Sequence, residues 1–100
     1  MPAQAPGGPS GNRAIVTVIG EDRVGIIAAV ATMLADGRVN ILDISQSIMQ
    51  EFFVMIMMVD LAASTRPFDD LKAALNAKGA EMNLKIDIQR EDVFKLMHRV

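Results

Sequence analysis

The chain has 100 residues and a formal net charge of −2, so it has the length of one small domain and carries no basic excess. That charge balance and the absence of tryptophan and tyrosine argue against nucleic-acid binding. The absence of cysteine excludes disulfides, thiolate nucleophiles and cysteine-rich zinc sites. No apolar run reaches the roughly 18 residues of a membrane-spanning helix, and no signal peptide is evident. We therefore expect a cytoplasmic protein that binds neither nucleic acid nor membrane.

Residues 1–12 are rich in proline and glycine, and three of the four prolines of the chain lie in this segment. Such a segment has too little apolar surface to offset the entropy lost on ordering. We predict that it is a disordered tail. The domain itself is expected at residues 13–90, followed at residues 91–100 by a helical or turn segment that packs on the domain.

The first predicted elements are a strand at residues 13–19 and a helix from about Val24 to Asp36. Apolar residues occupy both faces of the strand, which is typical of a central strand. A polar turn at residues 20–24 joins the two elements, with Asp22 as the candidate N-cap of the helix. Gly37 is expected to take the left-handed conformation that often follows the end of a helix.

This first helix has almost no polar face, since Thr32 is the only polar side chain between Val24 and Ala35. A helix that is apolar all round is normally buried on more than one side. One side would pack on the sheet, and the other would contact a second subunit or, alternatively, the C-terminal segment of the same chain. We predict two apolar stripes: Val24, Ile27, Ala31 and Leu34 form one, and Ile26, Val30 and Met33 form the other.

Two further strands are predicted, from residue 38 to about 49 and from about 51 to 61, joined by a hairpin near Gln50. The second strand carries many polar side chains and is expected at an edge of the sheet. The third strand is apolar on both faces and is expected at the centre. We interpret its methionines as core residues rather than as a metal or ligand site.

A second, amphipathic helix is expected to begin with Pro67 in its first turn and to end at Gly79. Residues 82–90 alternate apolar and polar side chains, which predicts a fourth strand with one face in water. The order strand, helix, strand, strand, helix, strand is that of a ferredoxin-like α+β sandwich. We predict a four-stranded antiparallel sheet with the first and third strands at the centre. Both helices lie on one face, so the other face also needs a cover.

No catalytic or metal-binding constellation emerges from the sequence. His98 is the only histidine, and it would need a neighbouring serine or threonine to act as a general base. The simpler interpretation is that it packs or caps locally. Gly20 and Gly25 have the spacing of a phosphate-binding loop, but the lysine and hydroxyl residue of that motif are missing. We expect no cofactor and no enzymatic activity, and a small enzyme built on His98 or a carboxylate pair is the minor alternative.

The turn before the first helix has features of an anion site. Backbone N–H groups at the start of a helix attract anions such as the carboxylate of an amino acid. Gly25 has no side chain, so a ligand can approach the backbone closely there. Asn40, which follows the helix, would offer an amide to the same ligand. The alternative is that Gly25 only allows tight packing and that Asn40 satisfies a backbone group.

The chain resembles the ACT domain family over about residues 13–90. The resemblance rests on a strand, then Asp22-Arg23-Val24-Gly25-Ile26, an apolar helix, and Val39-Asn40-Ile41 at the entry to the next strand. The usual turn of the family is Asp-x-Pro-Gly, and Val24 stands where proline is frequent. Residues 90–100 are similar to the ends of small stand-alone proteins with a single ACT domain, which are related to the glycine-cleavage regulatory type.

ACT domains are ferredoxin-like regulatory modules that bind amino acids or other small ligands, commonly at dimer interfaces. The resemblance therefore implies a homodimer that senses an amino acid and passes the signal to a partner protein. The alternative is a protein-interaction or dimerisation module that binds no ligand. Carried over residue by residue, the implied ligand site consists of Asp22, Arg23, Val24, Gly25, Ile26, Asn40 and Ile41.

Overall fold

A computed structural model describes residues 12–21 and 24–97 of the chain. Its elements are β1 (Arg13–Glu21), α1 (Ile26–Asp36), β2 (Asn40–Met49), β3 (Phe52–Asp60), α2 (Phe68–Glu81), β4 (Leu84–Arg90) and α3 (Glu91–Met97). The four strands form an antiparallel sheet in the order β2-β3-β1-β4. This confirms the ferredoxin-like α+β sandwich with β1 and β3 at its centre. His98 and the predicted tail, apart from Asn12, lie outside the described residues.

The hydrophobic core lies between one face of the sheet and the helices α1 and α2. Because side chains alternate between the faces of a strand, every second residue of β1, β3 and β4 is buried on this side. Met55 and Met57 are fully buried in it, as expected of core methionines. The strand residues of this core are Ala14, Val16, Val18, Phe53, Met55, Met57, Val59, Leu84, Ile86 and Ile88.

Helix α1 begins at Ile26, later than the sequence predicts. Its N-cap is Gly25, with φ of 93° and no hydrogen bond from a capping side chain. The prediction that Asp22 is the N-cap is therefore wrong, because the N-cap position falls on Gly25. A φ of this sign is readily adopted by glycine and disfavoured for residues with a Cβ. Asp22 and Arg23 themselves lie outside the described residues.

The buried stripe of α1 consists of Ile26, Val30 and Leu34. Ile27 lies almost two turns before Leu34 on a neighbouring side of the helix, but it is 41% exposed whereas Leu34 is fully buried, so the prediction that the two form one buried stripe is wrong. Val24 precedes the helix and is almost fully exposed, at 98%. The outer side of α1 carries mainly alanine and threonine, with Ile27 half-exposed among them. The apolar surface of this helix is therefore smaller than predicted.

The C-terminal end of α1 uses a different left-handed residue from the predicted one. Gly37 has φ of −88°, whereas Arg38 has φ of 59°. The N–H of Arg38 donates to the carbonyl of Ala35 at 2.9 Å, and the N–H of Val39 donates to that of Leu34 at 2.8 Å. This pattern is a Schellman motif with Arg38 in the left-handed position.

Helix α2 continues beyond the predicted end. Pro67 is its N-cap, and Gly79 lies inside the helix, where it is buried against β4. A Cβ at Gly79 would lie 2.7 Å from the carbonyl oxygen of Leu84, so glycine is needed for this close approach rather than to end the helix. The positive φ in this turn belongs to Asn83, at 60°, and β4 begins after it.

Helix α3 directly follows β4 and packs on the sheet face opposite α1 and α2. Arg13 holds its first residue, with Nε and Nη2 donating to the two carboxylate oxygens of Glu91 at 3.0 and 2.6 Å. Glu91 is only 4% exposed. Phe94 and Met97 of this helix reach over the sheet beside Ile15. The alternative that the C-terminal segment covers α1 is therefore wrong, since α3 covers part of the other face.

Candidate functional site

The N-terminus of α1 is a set of backbone donors that no side chain of residues 12–21 and 24–97 caps. The first hydrogen bond of the helix joins the N–H of Ala29 to the carbonyl of Gly25 at 2.9 Å. The N–H groups of Ile26, Ile27 and Ala28 precede this bond, so they have no partner within the helix. Gly25 is exposed, and among the residues that the structure describes, beyond its two chain neighbours, nothing lies within 4 Å of a Cβ built on it. This end of α1 therefore has the space and the polarity to receive a carboxylate.

Asn40 lies at the other end of α1, beside a shallow depression of about 380 Å³. Ala35, Arg38, Val39 and Ala63 line the same depression. Asn40 is exposed, and its side chain makes no hydrogen bond to another residue in the ranges 12–21 and 24–97. Arg38 adds a positive charge that the sequence interpretation missed. Arg38 lies two residues before Asn40, and the sequence gives no sign of its left-handed backbone.

The predicted site residues are not brought together within one chain. Helix α1 separates Gly25 from Asn40, and its 11 residues span about 16 Å at a rise of ~1.5 Å per residue. One amino acid cannot contact both ends. Ile26 is 2% exposed and belongs to the core, and Ile41 is partly buried against it, so neither side chain is free for a ligand. Val24 is free, while Asp22 and Arg23 fall outside the described residues.

No strand within the described residues pairs with the outer edge of β2. Every residue of this strand except Ile41 is exposed. Ile44 and Ile48 pair with the core residues Met57 and Phe53 of β3, so they lie on the helix side of the sheet. They remain exposed by 45% and 53% because the helices do not reach this edge. An exposed apolar edge strand is a template for pairing with another chain.

The opposite edge of the sheet is closed by side chains of α2. Asn76 Nδ2 donates to the carbonyl of Ile86 at 2.7 Å, and Lys72 Nζ donates to that of Ile88 at 2.9 Å. Lys72 Nζ also pairs with Asp87 Oδ1 at 2.7 Å. Desolvation raises the pKa of Asp87, but the hydrogen bonds from Lys72 and Asn76 outweigh it, and its pKa lies below the ordinary value. Side chains of α2 therefore occupy carbonyl groups along β4.

A second concave feature lies under α3. It has a volume of about 300 Å³, and its walls are mainly the apolar side chains of β1 and β3 on the face away from the core. Within the described residues, no group of histidine, aspartate and glutamate side chains is arranged to hold a metal ion. None of the described helices is long and apolar enough to cross a bilayer.

The sequence profile of the ACT domain matches residues 12–89. The chain belongs to the ACT domain family. This confirms the resemblance carried by the turn at Gly25 and the segment at Asn40, and it points to a regulatory rather than a catalytic domain.

Relatives of this ACT domain are of similar length. A UPF0237 protein of Clostridium acetobutylicum is 53% identical over 88 residues, which cover 88% of this chain and 99% of the relative. A UPF0237 protein of Methanocaldococcus jannaschii is 46% identical over 89 residues, with coverage of 89% and 99%. The chain is thus similar to small single-domain proteins from both of these organisms.

Solved structures support the same fold. An ACT domain protein from Streptococcus pneumoniae superposes with a TM-score of 0.73 at 37% identity, covering 83% of this chain and 93% of that one. A putative glycine cleavage system transcriptional repressor superposes with a TM-score of 0.67 at 22% identity, covering 78% of this chain and 44% of that one. The second likeness shows the fold alone.

Proposed function

We propose that this ACT domain forms a homodimer that binds an amino acid between two chains and passes occupancy to a partner protein in the cytoplasm. The observation that carries the proposal is the N-terminus of α1. Three backbone N–H groups at this end have no partner within the helix, and no described side chain or backbone atom beyond its chain neighbours lies within 4 Å of a Cβ built on Gly25. Those groups suit the α-carboxylate of an amino acid.

The proposed dimer pairs β2 of one chain with β2 of a second copy in antiparallel orientation. Twofold symmetry makes this contact self-complementary, because each chain offers the same edge to the other. The two α1 helices then lie antiparallel beside the join, since α1 is the helix on the β2 side of the sheet. In that arrangement the N-terminal end of one α1 faces the C-terminal end of the other. Gly25 of one chain would therefore approach Asn40 of its partner.

This arrangement accounts for exposed apolar side chains that the single chain leaves in water. Ile44 and Ile48 flank the edge of β2, and Ile27 lies on the outer side of α1. Removing each of these side chains from water contributes roughly 1.5–3 kcal/mol when burial is complete. The small alanine side chains around Ile27 allow two helices to approach closely.

The proposed site has two halves, the N-terminus of α1 in one chain and the Arg38 and Asn40 side chains of the other. Their chemistry is complementary to an amino acid. The helix N-terminus and the Arg38 side chain both favour the carboxylate. The Asn40 amide, which has no partner among the described residues, is free to accept a hydrogen bond from the α-ammonium group. Neither half is sufficient alone, so binding would couple ligand occupancy to assembly.

Thermal unfolding in the presence of each of the common amino acids tests this function. A ligand at 100 times its dissociation constant should add about 2.7 kcal/mol to the free energy of unfolding. Gly25→Asp places a negative charge in front of the helix N-terminus and should abolish the stabilisation. Gly25→Asn is the matched control, because it has the same shape without the charge and should retain part of it. The absence of stabilisation by every amino acid at millimolar concentration would contradict ligand sensing.

The second candidate function is a protein-interaction module that binds no ligand. The outer edge of β2 favours it, since strand pairing requires no small molecule. Capture of the same partner protein by the wild type and by Gly25→Asp, with and without amino acids, would support this function. Capture that depends on both an amino acid and Gly25 would support the ligand sensor.

A further inference from the structure

The face of the sheet that carries α3 contains a cavity separate from the site at Gly25 and Asn40. Ile15, Ile19, Val54 and Ile56 line its floor, and Phe94 and Met97 of α3 form its roof. Its volume of about 300 Å³ lies at the lower end of the range of roughly 300–1,000 Å³ for small-molecule sites. It is therefore large enough for a compact organic molecule.

The shape of this face favours a small molecule over a second sheet. Sheets that pack face to face lie about 10 Å apart, and a helix with its side chains is itself about 10 Å thick. Helix α3 stands on β1 and β4 and is anchored there by the pair of Arg13 and Glu91. A second copy cannot lie flush against the sheet while α3 is in this position. The space beside α3 stays concave.

The polar groups of the cavity lie on one wall. Thr17 pairs with Asp87 across β1 and β4, and Ile15 pairs with Gln89, so the polar side chains of β4 form one rim. Gln89 Nε2 donates to Asp87 Oδ2 at 3.3 Å, which leaves the amide oxygen of Gln89 available as an acceptor. The hydroxyl of Thr17 is a second acceptor. Asp87 Oδ1 is paired with Lys72 Nζ at 2.7 Å, but its carboxylate and the amide oxygen of Gln89 are still acceptors, and acceptors suit a donor rather than an anion.

We propose that this cavity binds a small apolar molecule that carries one hydrogen-bond donor, such as an amine or amide, and no negative charge. The apolar body lies on Ile19, Val54 and Ile56, and the donor faces Thr17 and Gln89. Phe94 covers the ligand from α3. This selectivity is the reverse of that proposed at Gly25, where a carboxylate is favoured.

Three probes with the same hexyl chain test the proposal by backbone amide NMR: hexylamine, hexanamide and hexanoate. Hexylamine and hexanamide should shift the amide signals of Ile15, Thr17, Ile56 and Phe94 at millimolar concentration. Hexanoate should bind at least about tenfold more weakly. Ile56→Trp fills the cavity and should weaken binding by about tenfold or more. Ile44→Trp is the matched control, because Ile44 is 45% exposed against 43% for Ile56 but lies on the other side of the sheet, and it should bind as the wild type does.

Two further variants test the polar wall of the cavity and its independence from the site at Gly25. Thr17→Val keeps the side-chain shape and should reduce the preference for hexanamide over hexanoate. Gly25→Asp should leave binding of both neutral and cationic probes unchanged. Signals that shift elsewhere, equal binding of all three probes, or unchanged binding by Ile56→Trp would overturn the proposal. It would also be overturned by an assembly in which a second copy protects Ile19 and Ile56 from solvent without any probe.

Discussion

Single backbone conformations decide where the helices of this chain end. The sequence predicts glycine as the terminating residue of both long helices, at Gly37 and Gly79. The structure instead places Arg38 and Asn83 in the left-handed region, with φ of 59° and 60°. Gly79 is required for the contact of α2 with β4. Both predictions failed because a glycine near a helix end has two explanations, and only the tertiary packing distinguishes them.

Substitutions at the end of α1 test this assignment. Gly37→Ala should stabilise the protein by about 0.4–1 kcal/mol, because φ of −88° suits alanine and the new Cβ makes an ordinary contact with Arg66 at 3.5 Å. Arg38→Gly should not destabilise it, because it relieves a left-handed residue that bears a Cβ. Urea unfolding of both variants measures the effect. A loss of about 1 kcal/mol in Gly37→Ala would show that Gly37 is the left-handed residue after all.

The edge strands differ in how their outer edges are covered. Side chains of α2 satisfy carbonyl groups of β4, whereas no strand in the described part of the chain pairs with the outer edge of β2. The sequence predicted that both strands lie at edges, because it shows how many polar residues each carries. It could not show that Lys72 and Asn76 close one of them, since these contacts depend on how α2 lies along β4.

Acid should weaken the closed edge through Asp87. Its folded pKa is lowered, so its contribution to stability is present above the unfolded pKa of about 3.9 and is lost as the pH falls through the folded pKa. Asp87→Asn should therefore be less stable than the wild type at neutral pH, and the difference should shrink at pH below about 4. Unfolding curves over this pH range measure the difference.

Lys72→Met provides the control for the acid experiment. Lys72 makes the short contact with Asp87, so Asp87→Asn should cost less stability in the Lys72→Met background than in the wild type. If the two effects are simply additive, or if the gap between wild type and Asp87→Asn is the same at low and neutral pH, the assigned role of this pair is wrong.

The fold of this chain followed from its sequence more fully than the candidate site did. The alternation of apolar and polar side chains and the helical periodicity predicted the sheet order. The pattern in each strand indicates whether one or both of its faces are buried. The sequence analysis placed Gly25 and Asn40 in one ligand site, because Asn40 follows the helix that begins near Gly25. In the folded chain α1 holds them about 16 Å apart. Gly25 and Asn40 can therefore meet only across two chains, and the sequence of one chain does not show how two chains assemble.

The proposed assembly makes a prediction about Ile44. Ile44→Lys should shift the protein from dimer to monomer, because it places a charge at the paired edge of β2. Ile56 is similarly exposed, at 43% against 45% for Ile44, but lies on the α3 side of the sheet, so Ile56→Lys should leave the dimer intact. Sedimentation equilibrium at matched concentrations measures the mass of each variant. A wild type that is monomeric, or a dimer that Ile44→Lys does not weaken, would contradict the β2 interface.

The most direct test of the shared ligand site is complementation between two variants that each fail to bind. Gly25→Asp removes one half of the site, and Asn40→Ala removes the other. After both are unfolded together and refolded in equal amounts, half of the dimers are mixed, and each mixed dimer regains one intact site. Calorimetry with the amino acid that stabilises the wild type should then recover about a quarter of the wild-type sites. No recovery in a mixture shown to contain mixed dimers would contradict a site built from two chains.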